Sequence, residues 1–306
     1  MNRTIIIGDI HGCHDELIAL LKKCERKPSD EVISIGDMVD RGPKPWEVVE
    51  FFLGDPNACA ILGNHEDKHI QIRQGKFTAS HSQFITRNQM GEHYDEAVDY
   101  FETLPLWEER GGYHLIHAGA LPDVPIPEQE KNVLVRAKMP WMKNVFDKSS
   151  PSWWTKYQSE VKVVYGHSIH ESPHTENGTV GIDTGCYEGK NLTAFILPEG
   201  RFVQVEAKMN YWSDVSRRYQ NLWEKERPSP PQKPKQQNGN TPLGRLEIEG
   251  ILLNGDWVKE QSTETKPGAW VWKALQFLDE MSQKGELQTL EAAKMVVREV
   301  LRNRQQ

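Results

Sequence analysis

The chain has 306 residues, with 37 Lys and Arg against 44 Asp and Glu, and therefore a formal net charge of -7. This acidic balance disfavours a domain that wraps nucleic acid by charge alone, because such domains are usually strongly basic. Hydrophobic residues make up 37% of the chain, and an apolar run of about 18 residues does not occur, so the sequence predicts a globular protein without a membrane span.

Short β-type runs alternate with helix-like segments through residues 1–206. Strands are predicted at residues 4–7, 31–35, 58–62, 113–116 and 161–165, and helices at 16–23 and 46–53. This alternation is typical of βαβ units with a largely parallel sheet. Later runs at 179–182, 192–197 and 202–205 are separated by turn residues and predict an antiparallel meander. We therefore expect an α/β protein.

The composition changes at residues 227–242, which hold five prolines and no apolar aliphatic or aromatic residue. Such a segment cannot bury enough surface to offset its ordering entropy, so we interpret it as a linker. Two apolar stripes at helical spacing follow, over 270–281 and 287–301, and favour a helical hairpin. The expected parts are a main domain at 1–206, a helical extension at 207–226, the proline-rich linker at 227–242 and an accessory helical region at 243–306.

Polar motifs follow five of the predicted strands. They are GDIHG at 8–12, GDMVDRG at 36–42, GNHE at 63–66, HAG at 117–119 and GH at 166–167. In an open α/β sheet, the loops at the carboxyl ends of the strands converge on the ligand crevice. The oxygen and nitrogen donors that these loops carry suit divalent first-row metals.

Six side chains of these motifs are candidate metal ligands: Asp9, His11, Asp37, Asn64, His117 and His167. One tetrahedral ion needs about four ligands, so six ligands with a shared carboxylate fit a site for two ions. Two such ions acidify a bridging water and stabilise an in-line phosphoryl displacement. The residues therefore predict hydrolysis of a phosphate ester or anhydride.

Three further residues of the motifs fit the rest of that chemistry. His65 adjoins the candidate ligand Asn64 and is the candidate proton donor to the leaving group. Asp40 lies in the same loop as Asp37 and would orient that imidazole. Arg41 would hold phosphate oxygens with its bidentate fork.

The five motifs, in this order, resemble the PPP-type branch of the calcineurin-like metallophosphoesterases over about residues 3–206. That branch includes serine/threonine protein phosphatases, diadenosine tetraphosphate hydrolases, and bacterial and phage phosphatases. The resemblance implies a β-sandwich flanked by helices, to which this chain adds a C-terminal helical extension. It also implies two divalent metal ions, with manganese first and iron, zinc, cobalt or nickel as alternatives.

The resemblance further implies a role for each ligand. Asp9 and His11 would bind the first metal ion and Asp37 would bridge both. The second ion would be bound by Asn64, His117 and His167.

A second phosphate-binding arginine is implied at Arg136, within NVLVR at 132–136. The segment GIDTG at 181–185, followed by NLTA at 191–194, resembles the closing segment of the bacterial and dinucleotide-hydrolase members. The tyrosine-bearing loop of the eukaryotic protein phosphatases is absent from it.

The first functional expectation is an enzyme that hydrolyses phosphate esters through a metal-bridging hydroxide, as a serine/threonine protein phosphatase. The alternatives are a dinucleoside polyphosphate hydrolase and an RNA-end or small-molecule phosphomonoesterase. The expected partner is a phosphorylated protein or a nucleotide, without a membrane or strong nucleic-acid binding, and the oligomeric state is open. Four dispersed cysteines without a CxxC pair predict reduced thiols in a cytoplasmic protein.

Three tryptophans lie between the HAG and GH motifs: Trp141, Trp153 and Trp154. Aromatic side chains in this region could stack a nucleobase or pack as a small subdomain. We favour packing.

Overall fold

The computed structural model describes residues 3–140 and 152–226, then 247–248, 251–253, 257–258 and 292–297, and single positions 274, 278, 281 and 289. The chain divides into two compact units, Met1–Arg227 and Pro228–Gln306. The predicted linker at 227–242 lies outside the described residues, as do most of residues 243–306 and Trp141, so the four predicted domain ranges stay a prediction.

The first unit is built from short strands and helices in alternation. Its strands are β1 (Thr4–Ile7), β2 (Glu31–Ser34), β3 (Ala58–Ala60), β4 (Trp107–Arg110), β5 (Tyr113–Ile116), β6 (Lys162–Tyr165), β7 (His174–Glu176), β8 (Thr179–Gly181), β9 (Asn191–Leu197) and β10 (Arg201–Glu206). Its helices are α1 (His14–Lys23), α2 (Pro45–Gly54), α3 (Asn64–Arg73), α4 (His81–Met90), α5 (Tyr94–Thr103), α6 (Lys131–Arg136), α7 (Trp153–Lys156) and α8 (Tyr211–Glu226). A 3₁₀ turn lies at Cys186–Glu188.

The strands form two five-stranded mixed sheets. The first has the order β10-β9-β1-β2-β3 and the second the order β4-β5-β6-β8-β7. β1, β2 and β3 run parallel, and β9 is antiparallel to β1 and β10. In the second sheet β5, β6 and β8 are parallel, and the two edge strands are antiparallel. This helix-flanked α/β sandwich confirms the predicted fold class.

The predicted antiparallel meander is wrong in one respect. β8 pairs in parallel with β6 in the second sheet, whereas β9 and β10 pair in the first sheet. Turn residues between strands mark where each strand ends but carry no information about which sheet the next strand joins. Only β9 and β10 therefore form the expected hairpin.

β1 shows how the sandwich buries its core. Ile6 lies between the sheets with residues of both, such as Ile33 and Val164. Ile5 and Ile7 lie on the opposite face, in the cluster that contains Leu17 of α1. A strand covered on both faces is expected to be a continuous apolar run, which is what residues 4–7 provide. The central strand is thus fixed on both sides, and the loop that follows it starts from a rigid point.

The second unit is described at fewer positions. β11 (Glu247–Ile248) pairs antiparallel with β12 (Ile251–Leu252). Its buried residues form one cluster: Leu253, Trp257, Val258, Ala274, Leu278, Ala293, Val296 and Val297. Four members of the two predicted apolar stripes, Ala274, Leu278, Ala293 and Val297, belong to this cluster.

Across the part of the chain that the structure describes, no helix combines the length and the apolarity needed to cross a membrane.

Candidate metal centre

The five polar motifs meet where strands of both sheets end. GDIHG, GDMVDRG and GNHE follow β1, β2 and β3 of the first sheet, and HAG and GH follow β5 and β6 of the second. The two groups of loops are joined by the backbone N–H of His167, which donates to both carboxylate oxygens of Asp9 at 3.1 Å. Gly166 is required beside this contact, because a Cβ there would collide with the Asp9 carboxylate. The site is therefore built between the sheets.

Asp37 lies at the centre of the cluster. Its Oδ2 is 3.6 Å from Nε2 of His11 and 3.9 Å from Nε2 of His65, and its Oδ1 is 3.3 Å from Nε2 of His117. Among the described residues, three groups of side chains have ligand atoms close enough to hold an ion. Two of them, His11–Asp37–His65 and Asp37–His117–His167, lie in this cluster and share Asp37, and the third is Cys13–Glu16–Cys186.

Asn64 completes the second group. Its Oδ1 lies 3.0 Å from Nε2 of His117 and 2.7 Å from Nδ1 of His167. Asn64 and His65 stand in the first turn of α3, directly after Gly63, so a single helix start delivers both side chains. The structure thus brings the six candidate ligands together, with Asp9 joined to the rest through His167.

The arrangement of ring nitrogens fits bound cations. Nδ1 of His11 and Nδ1 of His117 lie 2.8 and 2.9 Å from the carbonyl oxygens of Val39 and Ile35. A carbonyl oxygen only accepts, so both Nδ1 atoms carry the ring proton and both Nε2 atoms are left as acceptors. Nε2 of His117 then faces two other acceptors, the oxygens of Asn64 and Asp37. A positive ion between them makes that arrangement favourable.

The electrostatics of the buried carboxylates lead to the same conclusion. Burial, with the charges of Asp183 and Asp37, raises the pKa of Asp9 well above its usual range. Burial raises the pKa of Asp183 to about 6, and the charge of Asp37 adds to this effect. Burial opposes ionisation of Asp37 as well, but the positive charge that the adjacent imidazoles carry when protonated, that of His117 above all, holds its pKa far below the usual value. Clustered buried carboxylates of this kind are stabilised by cations.

Burial also keeps the candidate imidazole ligands neutral. It lowers the pKa of His167 to about 3, with the neighbouring His117 adding to the effect, and it lowers the pKa of His11 well below its usual range. Neutral imidazole is the form that binds metal ions. The donor set therefore fits divalent metals, and the metal identity is not fixed by it.

Asp40 holds the candidate proton donor. Its Oδ2 lies 2.5 Å from Nδ1 of His65, and its Oδ1 lies 2.9 Å from Nε2 of His69. Gln83 and Thr86 of α4 donate to the same carboxylate at 2.5 and 2.7 Å. All four oxygen lone-pair directions of a carboxylate are thus in use, and the Nε2 atom of His65 is aimed into the site. His69 is a buried support for Asp40.

Arg41 contacts both imidazoles of the first group. Its Nη1 lies 2.9 Å from Nε2 of His11, and its Nη2 lies 2.9 Å from Nε2 of His65. The guanidinium stacks 4.4 Å above the ring of Tyr187. An arginine always donates, so both imidazoles accept from it, and the same fork is available to an anionic group that enters the site.

Glu66 is a site residue to which the sequence analysis assigned no role. Its Oε2 accepts hydrogen bonds from the N–H groups of Asp37 and Gly63 at 2.9 and 3.1 Å. Its Oε1 accepts from the N–H groups of Met38 and Val39 at 2.8 and 3.2 Å. Gly63 precedes α3 and Glu66 is its third residue, so the spacing of a capping box was the available signal. Glu66 fixes the loop that carries Asp37, Asp40 and Arg41.

The backbone of the site is held in a sparsely populated conformation. Eight non-glycine residues of the described chain have a positive φ, and five of them belong to the motifs: His11, Asp37, Asp40, Arg41 and His167. Such conformations persist where the surroundings over-determine them, and they cluster at functional sites. For the loop that carries Asp37, Asp40 and Arg41, the Glu66 hydrogen bonds supply that constraint.

Three cationic side chains lie at the edge of the cluster. Arg136 forms an ion pair with Asp67 of α3, and Lys131 pairs with the same carboxylate at 2.5 Å. Lys68, also in α3, places its Nζ 3.5 Å from Nε2 of His65. Arg136 is thus held against Asp67, which follows His65 by two residues in α3. Lys68 is a cation that the sequence analysis did not select.

Comparison with known proteins gives a family and a group of relatives. The family model described as calcineurin-like phosphoesterase matches residues 3–204. The asymmetrical bis(5'-nucleosyl)-tetraphosphatase PrpE of Bacillus velezensis is 30% identical over 242 residues, which are 69% of this chain and 95% of that protein. The symmetrical bis(5'-nucleosyl)-tetraphosphatase of Aliivibrio fischeri is 23% identical over 266 residues, which are 67% of this chain and 98% of that protein.

Among solved structures, the chain resembles a crystal structure of a candidate diadenosine tetraphosphatase. The TM-score is 0.59 at 24% identity, over 67% of this chain and 94% of the other. This similarity supports the fold.

Proposed function

Because this chain belongs to the calcineurin-like phosphoesterase family, we propose that it is a metal-dependent hydrolase of dinucleoside polyphosphates, with diadenosine tetraphosphate as the representative substrate. The observation that carries the choice of substrate is the match to tetraphosphatases along almost their whole length. It favours the dinucleotide over the phosphoprotein that ranked first from sequence alone. The RNA-end or phosphomonoester alternative ranks behind both.

We take four metal ligands from the two groups that share Asp37, add Asp9 and Asn64, which contact His167, and leave His65 to Asp40 as the proton donor. Asp9 and His11 would hold one ion, Asp37 both, and Asn64, His117 and His167 the other. When bound, two divalent ions supply positive charge for the phosphate oxygens and an acidified water as nucleophile. The oxygen and nitrogen donors suit manganese, and equally iron, cobalt, nickel or zinc.

The chain's own residues supply the remaining chemistry. Asp40 fixes the ring of His65 through Nδ1, so that Nε2 can give a proton to the leaving-group oxygen. Burial lowers the pKa of His65, and a polyphosphate that enters the site counters this effect with its negative charge. The same anion competes for the guanidinium of Arg41, which then leaves His65 and binds phosphate. Arg136 would bind a phosphate further along the chain of phosphates.

The test offers three substrates in parallel to the purified full chain with Mn²⁺: diadenosine tetraphosphate, a phosphoserine peptide and an RNA 2′,3′-cyclic phosphate. Products are separated by chromatography, and kcat/KM is compared. We expect the tetraphosphate to have the highest value. A phosphopeptide that is hydrolysed with a higher kcat/KM than the tetraphosphate would contradict the proposal.

A further inference from the structure

A cavity opens beside the metal centre. It has a volume of about 470 Å³ and is lined by Arg41, Tyr187, Glu188, Lys190, Asn210 and Trp212. This volume falls in the usual range for small-molecule sites, about 300–1,000 Å³. Arg41 lies both in the cavity wall and in the candidate metal centre, since its Nη atoms contact His11 and His65. A molecule in the cavity is therefore adjacent to a phosphate that Arg41 holds.

Two aromatic side chains from separate elements contribute to the cavity wall. Tyr187 lies in the 3₁₀ turn Cys186–Glu188 and is fixed by ring contacts, edge-on to His11 at 4.8 Å and beneath Arg41. Trp212 is half-buried near the start of α8 and contacts the ring of His81 at 5.9 Å. Because Arg41 covers Tyr187, Trp212 is the ring of this wall that can stack a base, and every base presents a π-face to such a ring.

The polar groups of the cavity favour the uncharged part of a nucleotide. Glu188 brings a carboxylate, which repels phosphate, and its Oε2 is paired with Nζ of Lys190 at 3.0 Å. Asn210 uses its Oδ1 to accept from the N–H of Ser213 at 2.9 Å, so its amide nitrogen is the donor it can offer to a ligand. Base edges and ribose hydroxyls need such donors and acceptors together.

Of the three tryptophans that the sequence analysis considered for base stacking, the two that the structure describes, Trp153 and Trp154, are used elsewhere. Trp153 is only 2% exposed and packs edge-on against Tyr165 at 4.9 Å. Trp154 stacks on the same tyrosine at 5.4 Å. Both rings therefore pack against β6 of the second sheet, as expected from the sequence. Trp212 is the tryptophan that lines the cavity.

We propose that this cavity binds the nucleoside end of the substrate, with its base against Trp212 and its first phosphate on Arg41, which rests on the ring of Tyr187. The inference rests on the proposed function for the choice of a nucleotide. It adds the place where the base is recognised and the residues that recognise it.

The experiment measures binding to the full chain in the presence of EDTA, so that it does not depend on turnover. Saturation-transfer NMR is recorded with adenosine 5′-monophosphate, ribose 5-phosphate and inorganic phosphate. We expect the adenine protons to receive saturation and the nucleotide to bind about tenfold more tightly than ribose 5-phosphate. Trp212→Ala should remove that preference. Trp223→Ala, the same substitution on the same helix, should keep it, because Trp223 packs on His81 and Phe84.

Equal binding of the nucleotide and ribose 5-phosphate to the wild-type chain would overturn the inference. So would a folded Trp212→Ala variant that keeps the preference. Hydrolysis of diadenosine tetraphosphate is scored separately. Base-dependent binding without hydrolysis would contradict the proposed function but support the nucleoside site. Hydrolysis without base-dependent binding would support the proposed function but contradict the nucleoside site.

Discussion

Asp37 is the residue on which both halves of the candidate centre depend, since it belongs to both groups of ligand atoms. We expect Asp37→Asn to lose bound metal and turnover together, because an amide provides neither the negative charge nor the second anionic oxygen. Turnover should fall by at least about a hundredfold. Metal content after Mn²⁺ loading and tetraphosphate hydrolysis are the two measurements.

The matched control for this substitution is Asp99→Asn, at a carboxylate on the exposed face of α5 that pairs with Arg73. It should keep both properties. An Asp37→Asn variant that retains two manganese ions per chain would contradict the shared role of Asp37, and a wild-type chain that takes up fewer than two would contradict a dimetal centre.

His65 is bound to Asp40 through one ring nitrogen and directs the other into the site. We expect His65→Asn to keep its metal ions, because the imidazole is outside the proposed ligand set. Turnover should fall by about 10²–10⁴-fold on an alkyl phosphate, whose leaving alkoxide needs a proton. It should fall less on p-nitrophenyl phosphate, whose leaving group is stable as an anion. An equal loss on both substrates would argue against proton donation by His65.

At the scale of elements, α1 offers a direct test of how the sandwich is held together. Leu17 is fully buried against the first sheet, whereas the next residue, Ile18, is 44% exposed. We expect Leu17→Ala to lower the free energy of unfolding by about 2–5 kcal/mol, because it leaves a cavity in the core. Ile18→Ala should change it by less than about 0.5 kcal/mol. Urea unfolding of both variants checks this, and similar midpoints would show that the packing of α1 is not as described.

The elements that the sequence predicted bury an apolar face, although α5 buries one as well and was not predicted. β1 and β5 were predicted with the bounds that the structure has, and β2 and β3 begin where they were expected. α3 was missed because its buried residues are mainly polar: Asn64, His65, Glu66, Asp67 and His69 face the site or support it. A helix of this kind has no apolar periodicity to detect. β4, with the sequence WEER at the edge of its sheet, was missed for a related reason.

The sequence predicted the part of the candidate site that the strand ends and their glycine-flanked motifs define. The contacts that position it were not, since they join residues far apart in the chain. Asp40 is supported by Gln83 and Thr86 of α4, and Arg41 rests on Tyr187. Nothing in the local sequence of either partner records these pairings, which depend on how the two sheets and their helices pack.

At the scale of the whole molecule, the family match at residues 3–204 ends before α8, and the first compact unit ends at Arg227. We expect a chain truncated after Arg227 to fold and to keep the turnover of the full chain, because the centre, the cavity and α8 all lie within that unit. Circular dichroism and steady-state kinetics are the measurements. An insoluble or inactive product would show that the second unit completes the catalytic core.

The hydrogen bonds from His167 to Asp9 cross from one sheet to the other at the point where the candidate ligands gather. Ligand atoms from both sheets then converge on the same ions, so occupancy and global unfolding are thermodynamically linked. An ion that binds only the folded chain at a hundredfold excess over its Kd adds about 2.7 kcal/mol to the free energy of unfolding. Chelation should therefore lower the melting temperature of the first unit, and Mn²⁺ should restore it in proportion to the logarithm of its concentration.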